Sequence, residues 1–152
     1  MTTISRRTAL VIGIAGLIPQ RLYAGVPIHV VEGTGCECCG AWSDHLRANG
    51  FAVTREERYG MQLIRYKMDL GIPASVFSCH IGVAEGYAFE GHVPASDIRR
   101  LLRERPDAIG LAVPGMPYGS PGMGPESERE AYDVLLVRRD GSTEIFTNYP
   151  AA

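Results

Sequence analysis

The chain has 152 residues, of which 45% are hydrophobic and 21% charged, and its formal net charge is −2. This is enough apolar material for one ordinary core and too little length for two full domains, so one compact domain is expected. A slightly acidic chain without a cluster of basic residues is a poor nucleic-acid binder, and that class is set aside.

The first 24 residues have the layout of an export signal. They contain Arg6 and Arg7, no acidic residue, an apolar run over 8–18 and a small residue at the end. The run is about half as long as a membrane span requires, so a cleaved signal peptide is expected rather than a permanent anchor. The paired arginines resemble a twin-arginine signal, and Sec export stays open as the alternative. We predict a signal peptide over 1–24 and one periplasmic domain over 25–152, free of the membrane after cleavage.

The next part of the chain alternates between strand and helix patterns. A β-branched run bounded by glycines predicts a first strand, and a helical stretch that ends before Gly50 follows a cysteine-bearing loop. The same two patterns then repeat. The predicted elements are a strand over 27–32, a loop over 34–39, a helix over 40–49, a strand over 51–56 and a helix over 61–70.

The second half of the chain contains two hairpin patterns separated by a helix and a long loop. The predicted elements are a hairpin over 78–91, a helix over 94–104, a Pro- and Gly-rich loop over 106–124 and a last hairpin with strands over 132–137 and 142–147. This order predicts an α/β domain of thioredoxin-like type, with a mixed sheet, flanking helices and a C-terminal β-hairpin. The functional loop of such a domain lies between its first strand and first helix.

Four cysteines, Cys36, Cys38, Cys39 and Cys79, all lie in the predicted exported part. An even number of cysteines in an oxidising compartment is compatible with structural disulfides. Cys38 and Cys39 are neighbours held by a planar peptide, and a bridge between Cys36 and Cys38 encloses only one residue, so both pairings are strained. We therefore favour another use for the sulfur atoms, with structural disulfides as the alternative.

The three clustered cysteines precede the first predicted helix, where free N–H groups and the helix dipole lower the pKa of a thiol and favour the thiolate. In the predicted fold, the loop that carries Cys79 and His80 passes beside this helix start. We therefore expect the four sulfur atoms to meet in one pocket as negatively charged ligands.

Soft thiolate ligands select Cu(I), zinc or iron–sulfur clusters. The Cys-x-Cys-Cys spacing fits neither the separated pairs typical of zinc sites nor the regular spacing of iron–sulfur ligands. Crowded cysteines do fit Cu(I), because its low coordination number lets one sulfur bridge several ions. The sequence therefore predicts a copper site.

Four further residues are candidate ligands or neighbours of this site. His80 adjoins Cys79, although strand alternation would aim the two side chains at opposite faces, and His92 lies in what reads as a surface turn. Met116 and Met123 lie in the Pro- and Gly-rich loop, where their thioethers either bind Cu(I) or pack as a lid that keeps water from the metal.

Several motifs together resemble the CopG-type family of exported copper-resistance proteins, over about 27–149. They are Gly35-Cys-x-Cys-Cys39, Ser78-Cys79-His80, Glu90-Gly-His-Val-Pro94 and the segments 110–117 and 119–123. The resemblance implies a thioredoxin-like fold, copper binding by the four cysteines and a role in copper redox detoxification.

The sequence thus predicts a periplasmic protein of copper resistance and homeostasis that holds Cu(I) and is a candidate copper oxidoreductase, interconverting Cu(I) and Cu(II). Expected partners besides copper ions are copper efflux components or periplasmic electron donors. Two alternatives stay open. One is a metal-free thiol–disulfide oxidoreductase, and the other is a metallochaperone that passes copper to an efflux system.

Overall fold

A computed structural model describes residues 25–152, and the predicted signal peptide over 1–24 lies outside the described residues. No helix within 25–152 has the length and apolar character needed to cross a bilayer. The strands are β1 (Val26–Gly33), β2 (Phe51–Arg58), β3 (His80–Ala84), β4 (Tyr87–Glu90), β5 (Gly110–Ala112), β6 (Tyr132–Val137) and β7 (Thr143–Tyr149). The helices are α1 (Glu37–Ala48), α2 (Met61–Asp69) and α3 (Ala95–Glu104), with single 3₁₀ turns at Ala74–Val76 and Glu126–Glu128.

All of these strands join one mixed sheet in the order β2-β1-β3-β4-β5-β6-β7. The pairs β1–β2 and β4–β5 are parallel, and the remaining neighbours are antiparallel. The chain therefore follows the β-α-β-α-β-β-α order that the sequence predicts, and the C-terminal hairpin of β6 and β7 extends the same sheet. The predicted α/β class, with flanking helices and a final hairpin, is confirmed.

Helices cover both faces of the sheet because alternate strand residues point to opposite sides. On one face, Trp42 of α1 and Ile98 of α3 pack with Phe89 of β4 in the larger core cluster. On the other face, Leu63 of α2 packs with Ile81 of β3 in the smaller one. The two faces are called the α1 face and the α2 face below.

Two local predictions are wrong. The stretch over 106–124 is not all loop, because Gly110–Ala112 forms β5 between β4 and β6. A Cβ atom at Gly110 would lie 1.7 Å from the Ala88 carbonyl oxygen, so the close approach of the two strands requires glycine there. Helix α1 begins at Glu37 rather than at residue 40, which places Cys38 and Cys39 inside its first turn.

Candidate metal centre

The four cysteine sulfurs meet at the N-terminal end of α1. Cys36 precedes the helix, Cys38 and Cys39 belong to its first turn, and Cys79 is the residue before β3. The four Sγ atoms lie within 4.8 Å of one another. Cys38 Sγ is 3.4 Å from Cys36 Sγ and 3.5 Å from Cys79 Sγ. The predicted convergence of the sulfurs in one pocket is therefore observed.

Two of these sulfurs form a disulfide, Cys36–Cys39, while Cys38 and Cys79 are free thiols. The expectation of four negatively charged sulfurs is therefore wrong for this form of the protein. The two bridged residues have the spacing Cys-x-x-Cys. Sequence reasoning missed this pair because it considered only the bridges Cys36–Cys38 and Cys38–Cys39. Cys36 is half-buried, whereas Cys39 is completely buried.

The lowered thiol pKa expected for the cysteines at the helix start does not extend to Cys79. Burial raises the pKa of Cys79 to about 11, and a hydrogen bond with Cys38 acts in the same direction. A hydrogen bond from the Ser78 hydroxyl to Cys79 Sγ acts in the opposite direction and is outweighed by burial. Cys79 is a thiol at neutral pH, and a metal ion that binds it must displace the proton.

His80 is held with one ring nitrogen directed at Cys79. It is fully buried at the start of β3, and its Nδ1 lies 3.2 Å from Cys79 Sγ. The alternation argument against this contact fails because Cys79 lies outside the strand. His80 Nε2 is 3.0 Å from the Gly91 carbonyl oxygen, which only accepts hydrogen bonds, so Nε2 carries the proton and the Nδ1 lone pair faces the sulfur.

His92 also directs one ring nitrogen at Cys79 while the other binds a backbone carbonyl. The expectation of a surface turn residue is wrong. It is fully buried after β4, its Nδ1 donates to the Pro121 carbonyl oxygen at 2.8 Å, and its Nε2 lies 3.7 Å from Cys79 Sγ. Burial lowers the pKa of both His92 and His80, and the positive charge of Lys67 lowers that of His80 further. Both rings are therefore neutral at pH 7 and each keeps a nitrogen lone pair towards Cys79.

The loop after β5 closes over this end of α1. A Cβ atom at Gly122 would lie 2.7 Å from the Trp42 backbone nitrogen, so the loop backbone rests directly on the helix. Met123 and Cys38 line the same open surface cavity of about 360 Å³. Met116 lies earlier in the loop and its side chain is 53% exposed. The structure thus places Met123 at the cavity that Cys38 lines and leaves Met116 largely in solvent.

A buried ion pair on the α2 face fixes the segment that carries Cys79. Lys67 Nζ donates to Glu90 Oε1 at 2.6 Å and to the Ser78 carbonyl oxygen at 2.7 Å, and the Ser78 N–H donates to the same Glu90 oxygen. Both charged side chains are at most 2% exposed. Burial raises the pKa of Glu90, and the Lys67 charge works against that rise. No local sequence pattern marks Lys67 as a neighbour of the site.

Comparison with known proteins places this site in a family. A family described as a protein of unknown function, DUF411, matches residues 76–123. Two solved structures, described as copper resistance protein CopG in form 1 and form 2, share 46% and 45% sequence identity with the chain, with TM-scores of 0.77 and 0.75. They cover 84% and 83% of this chain and 99% of their own. The chain belongs to the CopG family of copper resistance proteins. No curated protein matches it.

The DUF411 match and the CopG likeness cover different parts of the centre. The DUF411 segment includes Cys79, both histidines and Met123, and it stops short of the cysteines at the start of α1. The two CopG structures match over more than four fifths of the chain in both sequence and fold. The CopG likeness therefore extends well beyond the shorter family segment.

Proposed function

We propose that this CopG-family protein binds copper in the periplasm, as part of copper resistance and homeostasis, and holds Cu(I) in a thiolate cluster of Cys36, Cys38, Cys39 and Cys79. The observation that carries the proposal is the convergence of these four Sγ atoms within 4.8 Å. Thiolate sulfur is a soft ligand that favours Cu(I) over harder ions. Copper is the bound substrate in this proposal rather than a resident cofactor.

Two histidines extend the sulfur cluster into a mixed set of ligands. The donor atoms of Cys79, His80 and His92 also lie within 4.8 Å of one another, so Cys79 belongs to both groups. Imidazole binds Cu(II) as well as Cu(I), whereas thiolates favour Cu(I). A set that contains both kinds of ligand supports interconversion of the two oxidation states, which is the proposed copper oxidoreductase activity.

The methionines of the loop have different places in the proposal. Met123 shares the surface cavity with Cys38, and we include its thioether as an outer ligand. Met116 is 53% exposed and is left out of the proposed site. The cavity opens to solvent beside Cys38, where a copper efflux component or a periplasmic electron donor would reach the cluster.

Binding through all four cysteines requires the reduced protein. The Cys36–Cys39 disulfide must first accept two electrons and two protons, because a bridged sulfur is not a thiolate ligand. The remaining thiols lose their protons as the metal binds. Copper binding is therefore expected to depend on the redox state of the protein.

The test is anaerobic loading of the reduced exported domain with Cu(I). We expect at least one tightly held copper per chain by metal analysis, with ultraviolet thiolate-to-copper absorption. Cys79→Ser is expected to lose most of both signals, because Cys79 joins the sulfur and histidine groups. Ser75→Ala, at an exposed position of the same segment, is the matched control. Less than one copper per chain, or equal binding by Cys79→Ser, would contradict the proposal.

A second candidate function is thiol–disulfide exchange with other proteins, and the Cys36–Cys39 disulfide is the observation that favours it. Cys36 is partly accessible and Cys39 is buried, so an incoming thiolate would attack Cys36 and release Cys39. The variant Cys39→Ser is then expected to trap mixed disulfides through Cys36. Insulin reduction no faster than the small-thiol background would exclude this candidate.

A further inference from the structure

The pairing of the four cysteines is restricted by their positions in the chain. Four cysteines allow three sets of two disulfides. One set contains Cys38–Cys39, a bridge between neighbours, and another contains Cys36–Cys38, a bridge across one residue. The first bridge is too short for the ordinary Cα separation of a disulfide, and the second closes a strained ring across one residue. The remaining set combines Cys36–Cys39, which the structure contains, with Cys38–Cys79.

The two free cysteines already lie in position for the second bridge. Their Sγ atoms are 3.5 Å apart, and a disulfide bond is about 2.05 Å long, so the sulfurs need to approach by roughly 1.5 Å. Both side chains are half-buried, and Cys38 lines the open cavity of about 360 Å³. A small oxidant or a partner's disulfide can therefore reach Cys38 first.

We propose that Cys38 and Cys79 form a second, reversible disulfide, and that this bond together with Cys36–Cys39 removes all four thiolate ligands from the metal centre. The oxidant is a disulfide of another protein or of a small thiol, R–S–S–R. Cys38 attacks one sulfur of the oxidant and releases R–SH, and Cys79 then attacks the Cys38 sulfur and releases the second R–SH. Two thiol hydrogens pass to the two R–SH products, and the oxidant gains the two electrons that the thiols lose.

The arrangement of the sulfurs keeps the two pairs separate. Exchange at Cys36 by Cys38 requires an almost linear approach to the Cys36–Cys39 bond, with Cys38 Sγ roughly 5.5 Å from Cys39 Sγ. All four sulfurs lie within 4.8 Å of one another, so that line is not available. Cys38 is therefore directed to Cys79 rather than to the existing bridge.

Closure of both bridges leaves no thiol among the four cysteines. The thiol chemistry stands on its own, while its consequence for copper rests on the proposed function. The fully reduced protein is the form that binds Cu(I), and oxidation in two successive two-electron steps removes the thiolate ligands. Copper release is then controlled by oxidation of the ligands themselves.

The first test uses metal-free, fully reduced protein and diamide, which takes up the two hydrogens of each dithiol. Free thiols are counted after each addition, and the disulfides are mapped by mass spectrometry of peptides after thiol alkylation. We expect the count to fall from four to two to none, with Cys38 linked to Cys79 in the final product. Two thiols that persist in excess diamide, or a map without this link, would overturn the proposal.

Matched double variants test whether each pair of cysteines forms its disulfide without the other pair. Cys36→Ser/Cys39→Ser retains only the proposed pair and is expected to lose both thiols within one chain, as does the control Cys38→Ser/Cys79→Ser. If the first variant forms only dimers while the control closes internally, the second bridge is rejected. Circular dichroism of each variant identifies any loss of fold.

The copper measurement separates this inference from the proposed function. The fully reduced and fully oxidised proteins compete with a Cu(I) chelator under anaerobic conditions, and the oxidised form is expected to bind at least 100-fold more weakly. Equal Cu(I) affinity of the two forms would contradict the proposal that the two disulfides together prevent copper binding. If the reduced protein binds no Cu(I) while the thiol count still falls to none, the proposed function fails and the second disulfide stands.

Discussion

On the α1 face of the sheet, His80 and His92 are buried as neutral rings, and each presents to Cys79 the nitrogen that backbone carbonyls leave free. On the α2 face, Lys67 and Glu90 are buried as an ion pair whose contacts go to each other and to the Ser78 backbone. Both groups are inaccessible to solvent. The difference separates their roles: the α1 face keeps donor atoms available for a metal, and the α2 face fixes the segment that carries Cys79.

The largest expected effect comes from breaking the ion pair on one side. Lys67→Met leaves the Glu90 carboxylate buried without its partner, and one Glu90 oxygen already has no hydrogen-bond partner among the described residues. We expect a loss of about 3–5 kcal/mol in the free energy of unfolding, measured by urea denaturation.

The control for this prediction is Lys67→Met/Glu90→Gln, which removes both charges and keeps an oxygen for the Ser78 N–H. It should recover much of the lost stability, because no buried charge remains unpaired. A single variant as stable as the original protein would show that the pair does not anchor the Cys79 segment.

The next effect concerns copper rather than stability. His92→Ala removes a nitrogen donor that lies 3.7 Å from Cys79 Sγ. We expect Cu(I) affinity to fall by about 10–100-fold, measured by competition with a chelator. The double variant Lys67→Met/Glu90→Gln should lose less copper affinity than His92→Ala, because the amide oxygen at position 90 still accepts from the Ser78 N–H. If it lost more affinity than His92→Ala, the division of roles between the two faces would be wrong.

The same comparison predicts a dependence of stability on pH. The pKa values of His80 and His92 are lowered by burial in the folded protein, whereas in the unfolded chain they lie near 6.5. The unfolded state therefore binds more protons below that pH, and the metal-free protein loses stability on acidification. We expect a loss of at most roughly 0.7 kcal/mol per histidine between pH 7 and 6, measured by urea denaturation at each pH.

Glu90 has a raised pKa and acts in the opposite direction at lower pH, because the folded state then holds the extra proton. The measurement is therefore repeated in Lys67→Met/Glu90→Gln, where this contribution is removed. In that background, adding His92→Asn should reduce the loss of stability on acidification, because one of the two buried histidines no longer titrates. An unchanged slope would show that His92 does not titrate as its burial requires.

The smallest effect separates the two loop methionines. Met123→Leu keeps the apolar volume and removes the thioether beside Cys38, so Cu(I) affinity should fall by about threefold. Met116→Leu is the matched control, because its side chain is 53% exposed, and it should leave the affinity unchanged. Equal effects of the two substitutions would remove Met123 from the site.

Sequence patterns predicted the elements that have a clear period. The predicted bounds of β6 agree with the structure, and those of α3 and β7 differ by one or two residues at an end. Strand β5 was missed because three residues are too few to show a period, and glycine and proline surround it. The start of α1 was placed too late because Cys36 offers no side-chain cap that would mark it.

The site was predicted in part. The order of elements was enough to bring Cys79 to the cysteines of α1, since the loop that enters the third strand passes beside the helix start in the predicted fold. The burial of His92 and the Lys67–Glu90 pair depend on tertiary contacts, and Lys67 lies 23 positions from Glu90 in the chain. No local pattern carries that information. The Cys36–Cys39 spacing was readable from the sequence and was overlooked.

Trp42 is the single tryptophan of the chain. Its indole is fully buried, donates to the Val93 carbonyl oxygen at 2.9 Å, and lies with its ring centre 4.4 Å from that of His80. Light emitted by this protein under tryptophan excitation therefore comes from one ring in contact with the centre. Its intensity is an internal optical signal for occupancy and oxidation of the site, readable in real time without an attached dye.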